Sequence, residues 1–438
     1  MNASRETLIL GGGVTGLAAG MVSGLPVYEA LSEPGGICSS YYIRPGESRR
    51  LQAPPEDREA YRFEIGGGHW IFGGDPTVLD FLESAVPHGQ YRRISGVWLA
   101  DEKVYVPYPI QNHLRCLSRE TAATILQEMA AGPRGPVQTM EQWLAGCFGK
   151  TLAEKFFLPF HALYTAGLYK EIAPQDGYKS PVDLPRVIQG AMAEVPPAGY
   201  NVTFRYPMDG LDALVRRMTR CCTMRCGKRV AAIDAAARRV RFADGTAADY
   251  DRLICTLPLN QTLQAAGLGQ QAALAPYTSV LVLNVGGRKG AQCPDDHWLY
   301  HPKTRSGFHR VGFYSNVAPT FLPWSSRETR DCVSIYVERA FAGGQKPSHT
   351  DIEAYGRAAI EELQQWGFLA DAEVVDPTWI DVAYTWARPG SDWKQRSLAM
   401  LQEMGIHMVG RYARWEFQGI AASIRDGFCA GAALRAWP

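Results

Sequence analysis

Apolar positions change rhythm several times along this chain, and each change predicts a change of element. Leu8-Ile9-Leu10 is a short apolar run that breaks at glycine, and Pro26-Val27-Tyr28 is a second that ends in Glu29. Apolar runs bounded by turn residues predict buried strands, here framing a short helix. Residues 77–82 carry helical spacing, and between 91 and 110 Gly96-Val97-Trp98-Leu99 and Lys103 to Tyr108 predict strands. From about 118 to 172 the spacing is helical again (Leu126, Met129, Trp143, Leu144, Leu152, Phe156, Phe157), with Thr139 and Glu141-Gln142 as a cap.

Strand patterns then dominate. Arg239 to Phe242 alternates, Asp244-Gly245 turns, and Arg252 to Pro258 returns as a buried strand. Val280 to Asn284, Arg310 to Tyr314 and Cys332 to Val337 predict a substantial antiparallel sheet, followed by an amphipathic helix over 351–366. The tail reads as strand Ile406 to Val409, then Gly410-Arg411, then a helix through Ala433. The expected fold is α/β: a discontinuous Rossmann-like domain (1–90, 205–265 and 395–438), a mainly helical insertion (91–204) and an antiparallel-sheet substrate domain (266–394).

The first turn carries chemistry. Gly11, Gly13 and Gly16 form a G-x-G-x-x-G between strand and helix. The first glycine permits the tight turn, the second lets the backbone approach a pyrophosphate, and the third lets helix and strand pack. Phosphate then meets free N–H groups at a helix N-terminus, and Glu29 is placed to accept ribose hydroxyls. Gly35-Gly36 and Gly66-Gly67-Gly68 offer further places where backbone approaches a flat ligand.

Composition narrows the class. The chain has 438 residues, 46% apolar, with a net charge of +1, which gives no reason to expect nucleic acid. Its ten cysteines lack zinc spacing, since Cys221, Cys222 and Cys226 are the only tight cluster, and reduced cysteines are expected. No apolar run approaches the ~20 residues of a membrane span. With a strand opening the chain and no leader pattern, a cytoplasmic protein without membrane attachment is expected.

The ordered motifs resemble the UDP-galactopyranose mutase group, within the wider amine oxidase and protoporphyrinogen oxidase type of fold. They are Glu64-Ile-Gly-Gly-Gly-His-Trp-Ile-Phe72, Arg93-Ile94-Ser95, Val106-Pro-Tyr-Pro-Ile-Gln-Asn112, Phe156-Phe-Leu-Pro-Phe160, Asn201 to Pro207, Trp298-Leu-Tyr-His-Pro302, Phe308-His-Arg310 with Ser315-Asn316, and Gly410-Arg-Tyr-Ala-Arg-Trp-Glu-Phe417. The resemblance implies that the Rossmann-like domain binds FAD and that reduced flavin N5 acts as a nucleophile on the anomeric carbon of a nucleotide sugar. The ring opens and recloses through a different hydroxyl with no net redox change. Flavin must first be reduced, and with no second G-x-G-x-x-G this implies an external reductant, NAD(P)H or a reductase.

The resemblance also implies roles. The FAD site takes Gly11, Gly13, Val14, Thr15, Gly16 and Glu29 from the first unit, and Gly35, Gly36, Gly67, Gly68 and His69 from the loops. Gly410, Arg411, Trp415, Gly419 and Ile420 come from the tail. Arg310 holds the substrate diphosphate, or else forms a surface salt bridge. Tyr300 faces sugar or phosphate, or packs in a sheet. Tyr108 and Gln111 contact the base, or end a strand; Asn201 lies near flavin and sugar, or makes a turn. His69 beside the flavin responds to its redox state through a near-neutral pKa. His69, Arg310 and Tyr300 are thus the expected catalytic set, with Tyr108, Gln111, Tyr164, Asn201 and Phe417 on the substrate.

Departures from the family pattern accompany these matches. Phe417 replaces a phosphate-binding tyrosine, a second such tyrosine falls near Ser391 or Asp392, and Val317 replaces a third. A family asparagine becomes His161, a base-stacking tryptophan becomes Tyr164, and a second arginine is replaced by Lys179 or Arg186. These losses imply a substrate other than UDP-galactose. The alternative is a redox flavoenzyme of amine oxidase or desaturase type that takes hydride from an organic substrate. A flavin-binding protein with no chemistry of its own is a third reading.

Overall fold

A computed structural model describes residues 6–132, 135–175, 177, 180–199 and 201–436. The predicted opening strand, Glu6–Leu10, pairs in parallel with Val27–Tyr28 on one side and Ala247–Cys255 on the other. Met224–Arg225 extends the first edge, and Ile406–Met408 joins Ala247–Cys255 in parallel. The strand predicted to end at Pro258 is therefore central to the nucleotide sheet. Val230–Asp234 and Arg239–Phe242 add the expected antiparallel hairpin.

Two helices cover this sheet and pack on each other: Val14–Ser23 and Ile420–Ala436. Small residues set their spacing. A Cβ on Gly427 would lie 2.3 Å from the Thr15 carbonyl oxygen, so only glycine permits this approach. The nucleotide layer is thereby closed by residues from opposite ends of the sequence.

The second sheet runs in the order Leu369–Thr385, Tyr277–Lys289, Cys332–Ala342, Arg310–Phe313, Trp298–Tyr300, Ser95–Leu99, Val104–Pro107. Two expectations are corrected here. Ser95–Leu99 and Val104–Pro107, assigned to the helical insertion, are strands of this sheet, and Ser95–Leu99 pairs with Trp298–Tyr300 in parallel. The sheet is mixed because the chain enters it twice, from segments nearly 200 residues apart. Its long central strand is buried on both faces, which is why Val280 to Asn284 shows no polar alternation. Leu281, Leu283 and Val285 pack under the helix His349–Gln365, while Val280 and Val282 face the nucleotide side.

The helical segment contains Arg119–Ala131, Met140–Leu152, Leu158–Tyr164 and Leu184–Met192. Thr139 and Gln142 form the expected reciprocal cap. A π-helical turn at Ala153–Phe157 widens the helix just before Pro159, stacks Phe157 on Phe148, and turns Phe156, Phe157, Phe160 and Tyr164 toward a cavity. The cysteines are free thiols, and no metal-ligating cluster occurs among the described residues.

Candidate active site

Two adjoining cavities lie between the layers. The larger, about 330 Å³, begins at the glycine turn. The helix Val14–Ser23 has Gly13 as its N-cap with no side chain bonded to its first turn, so its leading N–H groups remain available. A Cβ on Gly13 would meet no protein atom and would project into open space, whereas one on Gly16 would lie 1.9 Å from the Gly11 carbonyl oxygen. Gly13 thus leaves room for a ligand, and Gly16 lets helix and strand touch. Gly35 donates its N–H to the Gly12 carbonyl at 2.8 Å, which stitches the second glycine loop to the first.

Glu29 is buried at the edge of this groove. Its carboxylate accepts the Gly12 N–H at 2.7 Å and the Leu31 N–H at 2.9 Å. The far wall carries Gly68, His69, Arg411, Gly419 and Ile420. Arg411 donates to the carbonyls of Gln418 and Ala383 and forms no ion pair among the described residues. An arginine without a counter-anion at a phosphate-ready turn fits a dinucleotide that brings negative charge with it. These observations match the needs of FAD: free N–H groups, a ribose acceptor, close-approach glycines and an uncompensated cation.

His69 lines the groove, but its expected near-neutral titration is corrected. Burial, reinforced by the positive charge of Arg411, lowers its pKa to about 4, so the imidazole is neutral at physiological pH. Three further FAD-site expectations change. Gly16 packs helix on strand, as the third glycine of the motif should; Gly67 packs against Glu338 and Gly410 against Thr15, and neither lines the groove. Trp415 is buried elsewhere, donating its indole N–H to the Trp386 carbonyl at 3.2 Å and packing on Trp393, because a positive φ of 54° turns the chain there. Val14, Thr15, Gly35, Gly36 and Gly68 line the groove as expected.

The smaller cavity, about 140 Å³, is walled by aromatic rings, including Tyr108, Phe160, Tyr164, Tyr300 and Tyr384, with Asn201, His161, His309 and Arg310 as polar members. Asn201, Tyr300, Arg310, Tyr384 and Phe417 line both cavities and form the wall between them. Arg310 is no surface residue. Its Nε and Nη2 donate to Glu338 at 2.9 and 2.5 Å, and Nη1 carries no other hydrogen bond among the described residues. Arg310 and His309 together hold the Glu338 carboxyl down to about 2 against the upward push of burial, so the carboxylate is ionised.

Other substrate-side expectations fare unevenly. Gln111 is buried and donates to the Pro181 carbonyl at 2.9 Å without reaching the chamber. The short helix that follows Pro109 turns its amide away. Asn201 is held by Arg93. The missing tyrosine is not replaced near Ser391 or Asp392, which occupy an exposed turn; Tyr384, at the end of the strand Leu369–Thr385, brings a phenol to the wall. Val317 is core, Arg186 donates to the Pro196 carbonyl outside the chamber, and Lys179 lies outside the described residues. Glu338 and His309 were missed. Glu338, with Arg339, interrupts an otherwise mostly apolar strand, and a charged break in a buried run is the signal the sequence offers.

Residues 25–430 match the family described as flavin containing amine oxidoreductase. The chain belongs to that family. It is an FAD-dependent enzyme, and FAD is the cofactor that the groove fits. Among solved structures, reduced UDP-galactopyranose mutase is 22% identical, with 99% of this chain and 96% of that chain covered at a TM-score of 0.86. Cyclohexylamine oxidase from Brevibacterium oxydans is 14% identical (99% of each chain, TM-score 0.63), and putrescine oxidase bound to putrescine is 15% identical (99% of each, TM-score 0.58). At these identities the likeness establishes the fold. No protein of curated function matches the sequence. No helix among the described residues is long and apolar enough to cross a membrane.

Proposed function

We propose that this enzyme rearranges a nucleotide-activated, or chemically related, sugar without net oxidation, in the manner of a pyranose–furanose mutase, on a substrate other than UDP-galactose. The observation that carries this reading is Arg310, which stands in the wall between cofactor groove and aromatic chamber with one edge fixed by Glu338 and Nη1 left for a ligand. When bound and reduced, FAD supplies a nucleophilic nitrogen and needs an external reductant to reach that state.

The chain's own residues supply orientation and charge. Arg310 Nη1 holds an anionic leaving group as it departs and returns, and a guanidinium already fixed by Glu338 does so without reorganising. The Tyr300 and Tyr384 hydroxyls and the Asn201 amide orient the sugar. Neutral His69 offers a hydrogen bond without adding charge. The aromatic wall excludes water, which would otherwise hydrolyse an activated anomeric carbon.

Dithionite-reduced holoprotein mixed anaerobically with a panel of nucleotide sugars tests this, with products separated by chromatography. Interconversion of ring forms with flavin still reduced is the expected result; if no nucleotide sugar is changed or perturbs the flavin spectrum, the reading is abandoned. A second reading, hydride transfer from an organic substrate, is favoured by Phe417, which places a ring without a hydroxyl where a polar clamp would serve an anion. It predicts stoichiometric bleaching of oxidised flavin by the substrate without air.

A further inference from the structure

Beside the cofactor groove, at the turn that carries His69, lies a small void of about 20 Å³, the size of one water, which shares His69, Arg411, Tyr384 and Tyr412 with the groove. Its polar walls are His69, Glu338, Arg411, Tyr384 and Tyr412, and its apolar walls include Val280, Ile380 and Ala383. One polar atom at this place lacks a partner among the described residues: Nδ1 of His69 is buried and meets no acceptor or donor in hydrogen-bond geometry. Leaving such an atom buried without a partner is unfavourable, because its hydration is lost and nothing replaces it. Arg411 has already committed two of its nitrogens to carbonyls. Glu338 is the only carboxylate in the void's wall, and it lies against the same turn, since a Cβ on Gly67 would sit 2.8 Å from its Oε1.

We infer that one ordered water fills this void, accepts the N–H of His69 Nδ1 and donates to the Glu338 carboxylate, so that Glu338 is a positioning residue for His69 as well as for Arg310. An anion near one edge of a neutral imidazole draws the proton to that edge, as second-shell carboxylates do for metal-bound histidines. Burial, reinforced by the nearby charges of Arg411 and Arg310, keeps the ring neutral, and Glu338 selects its tautomer: Nδ1 protonated, Nε2 an acceptor. One buried carboxylate then serves both cavities. Whatever moves charge at Arg310 alters the acceptor that fixes His69. This holds for either reaction proposed above.

The test is the tautomer itself, read by long-range ¹H–¹⁵N correlation on FAD-loaded protein carrying ¹⁵N-histidine, with the signal assigned by its loss in His69→Gln. The expected spectrum shows Nδ1 protonated and Nε2 bare. Ala383→Val fills the void while leaving the Arg310–Glu338 bonds in place, and it is expected to produce a mixture of tautomers. Glu338→Gln is expected to do the same. Protonated Nε2 in the unaltered protein overturns the inference, as does a crystal structure whose density shows the void empty. Retention of a pure Nδ1–H form in Ala383→Val overturns it too, and that variant decides the matter even if Glu338→Gln fails to fold.

Discussion

Two partly buried arginines, one in the groove and one in the wall between the cavities, are handled in opposite ways. Arg411 faces the cofactor groove with carbonyls and aromatic rings as its partners among the described residues, whereas Arg310 faces the substrate chamber with a carboxylate clamped to one edge. The groove keeps a cation in reserve for an anionic cofactor, so its charge balance is completed from outside. The chamber balances its charge internally and offers a ligand only one remaining edge of the guanidinium. A site for a permanent guest can depend on that guest's charge, while a site that empties at every turnover has to be stable in both states.

That contrast is broken most severely by Glu338→Ala, which leaves Arg310 buried and unpaired. A loss of about 3–5 kcal/mol is expected for such a removal, measured as a fall in chemical-denaturation stability. The pH dependence has a definite sign. The carboxyl lies at about 2, below its ordinary 4.5, so its contribution is present above pH 4.5 and fades as pH falls toward 2. Thermal melts at pH 3 and pH 6 should therefore differ more in the unaltered protein than in Glu338→Gln. Glu64 is expected to act in reverse. Burial raises it to about 7, so its contribution is full below pH 4.5 and lost as pH rises through 7, and Glu64→Gln should flatten melting temperatures between pH 5 and 8.

On the groove side, Gly13→Leu should preserve the fold, because its Cβ meets no protein atom, yet weaken FAD binding by roughly 100-fold, about 2.7 kcal/mol. Flavin retained through gel filtration would count against Gly13 as the place of phosphate approach. In the dividing wall, Tyr300→Phe and Tyr384→Phe each remove one hydroxyl and should weaken binding of an anionic substrate by about 1.5–3 kcal/mol, seen in KM or in ligand titration. The smallest effect belongs to Trp415→Phe, expected to change FAD affinity by less than about twofold because the indole packs outside the groove.

The groove was far more legible in sequence than the chamber, for a physical reason. Phosphate recognition by backbone needs glycines at fixed spacing within one strand-turn-helix unit, so Gly11, Gly13 and Gly35-Gly36 are readable locally. The chamber is built from side chains on separate elements that meet only after folding, such as Tyr164 after a π-helical turn and Tyr384 at a strand end. Trp415 and Gln111 misled because a motif fixes sequence neighbours and not side-chain direction: a positive φ turned one aside and a short helix the other. Strands 95–107 were drawn into the wrong unit because nothing local marks pairing with a strand nearly 200 residues away.

The contact between the helices Val14–Ser23 and Ile420–Ala436 has a consequence for biosynthesis. The glycine turn leaves the ribosome about 400 residues ahead of Arg411 and the second helix, roughly 20–80 s at ordinary elongation rates. For the first part of that interval the first strand lacks its neighbour Ala247–Cys255, and for all of it the groove lacks the wall that carries Arg411. The groove has both its walls only once Arg411 has been made, so a chain that brings the two helices together is the one that can enclose the flavin.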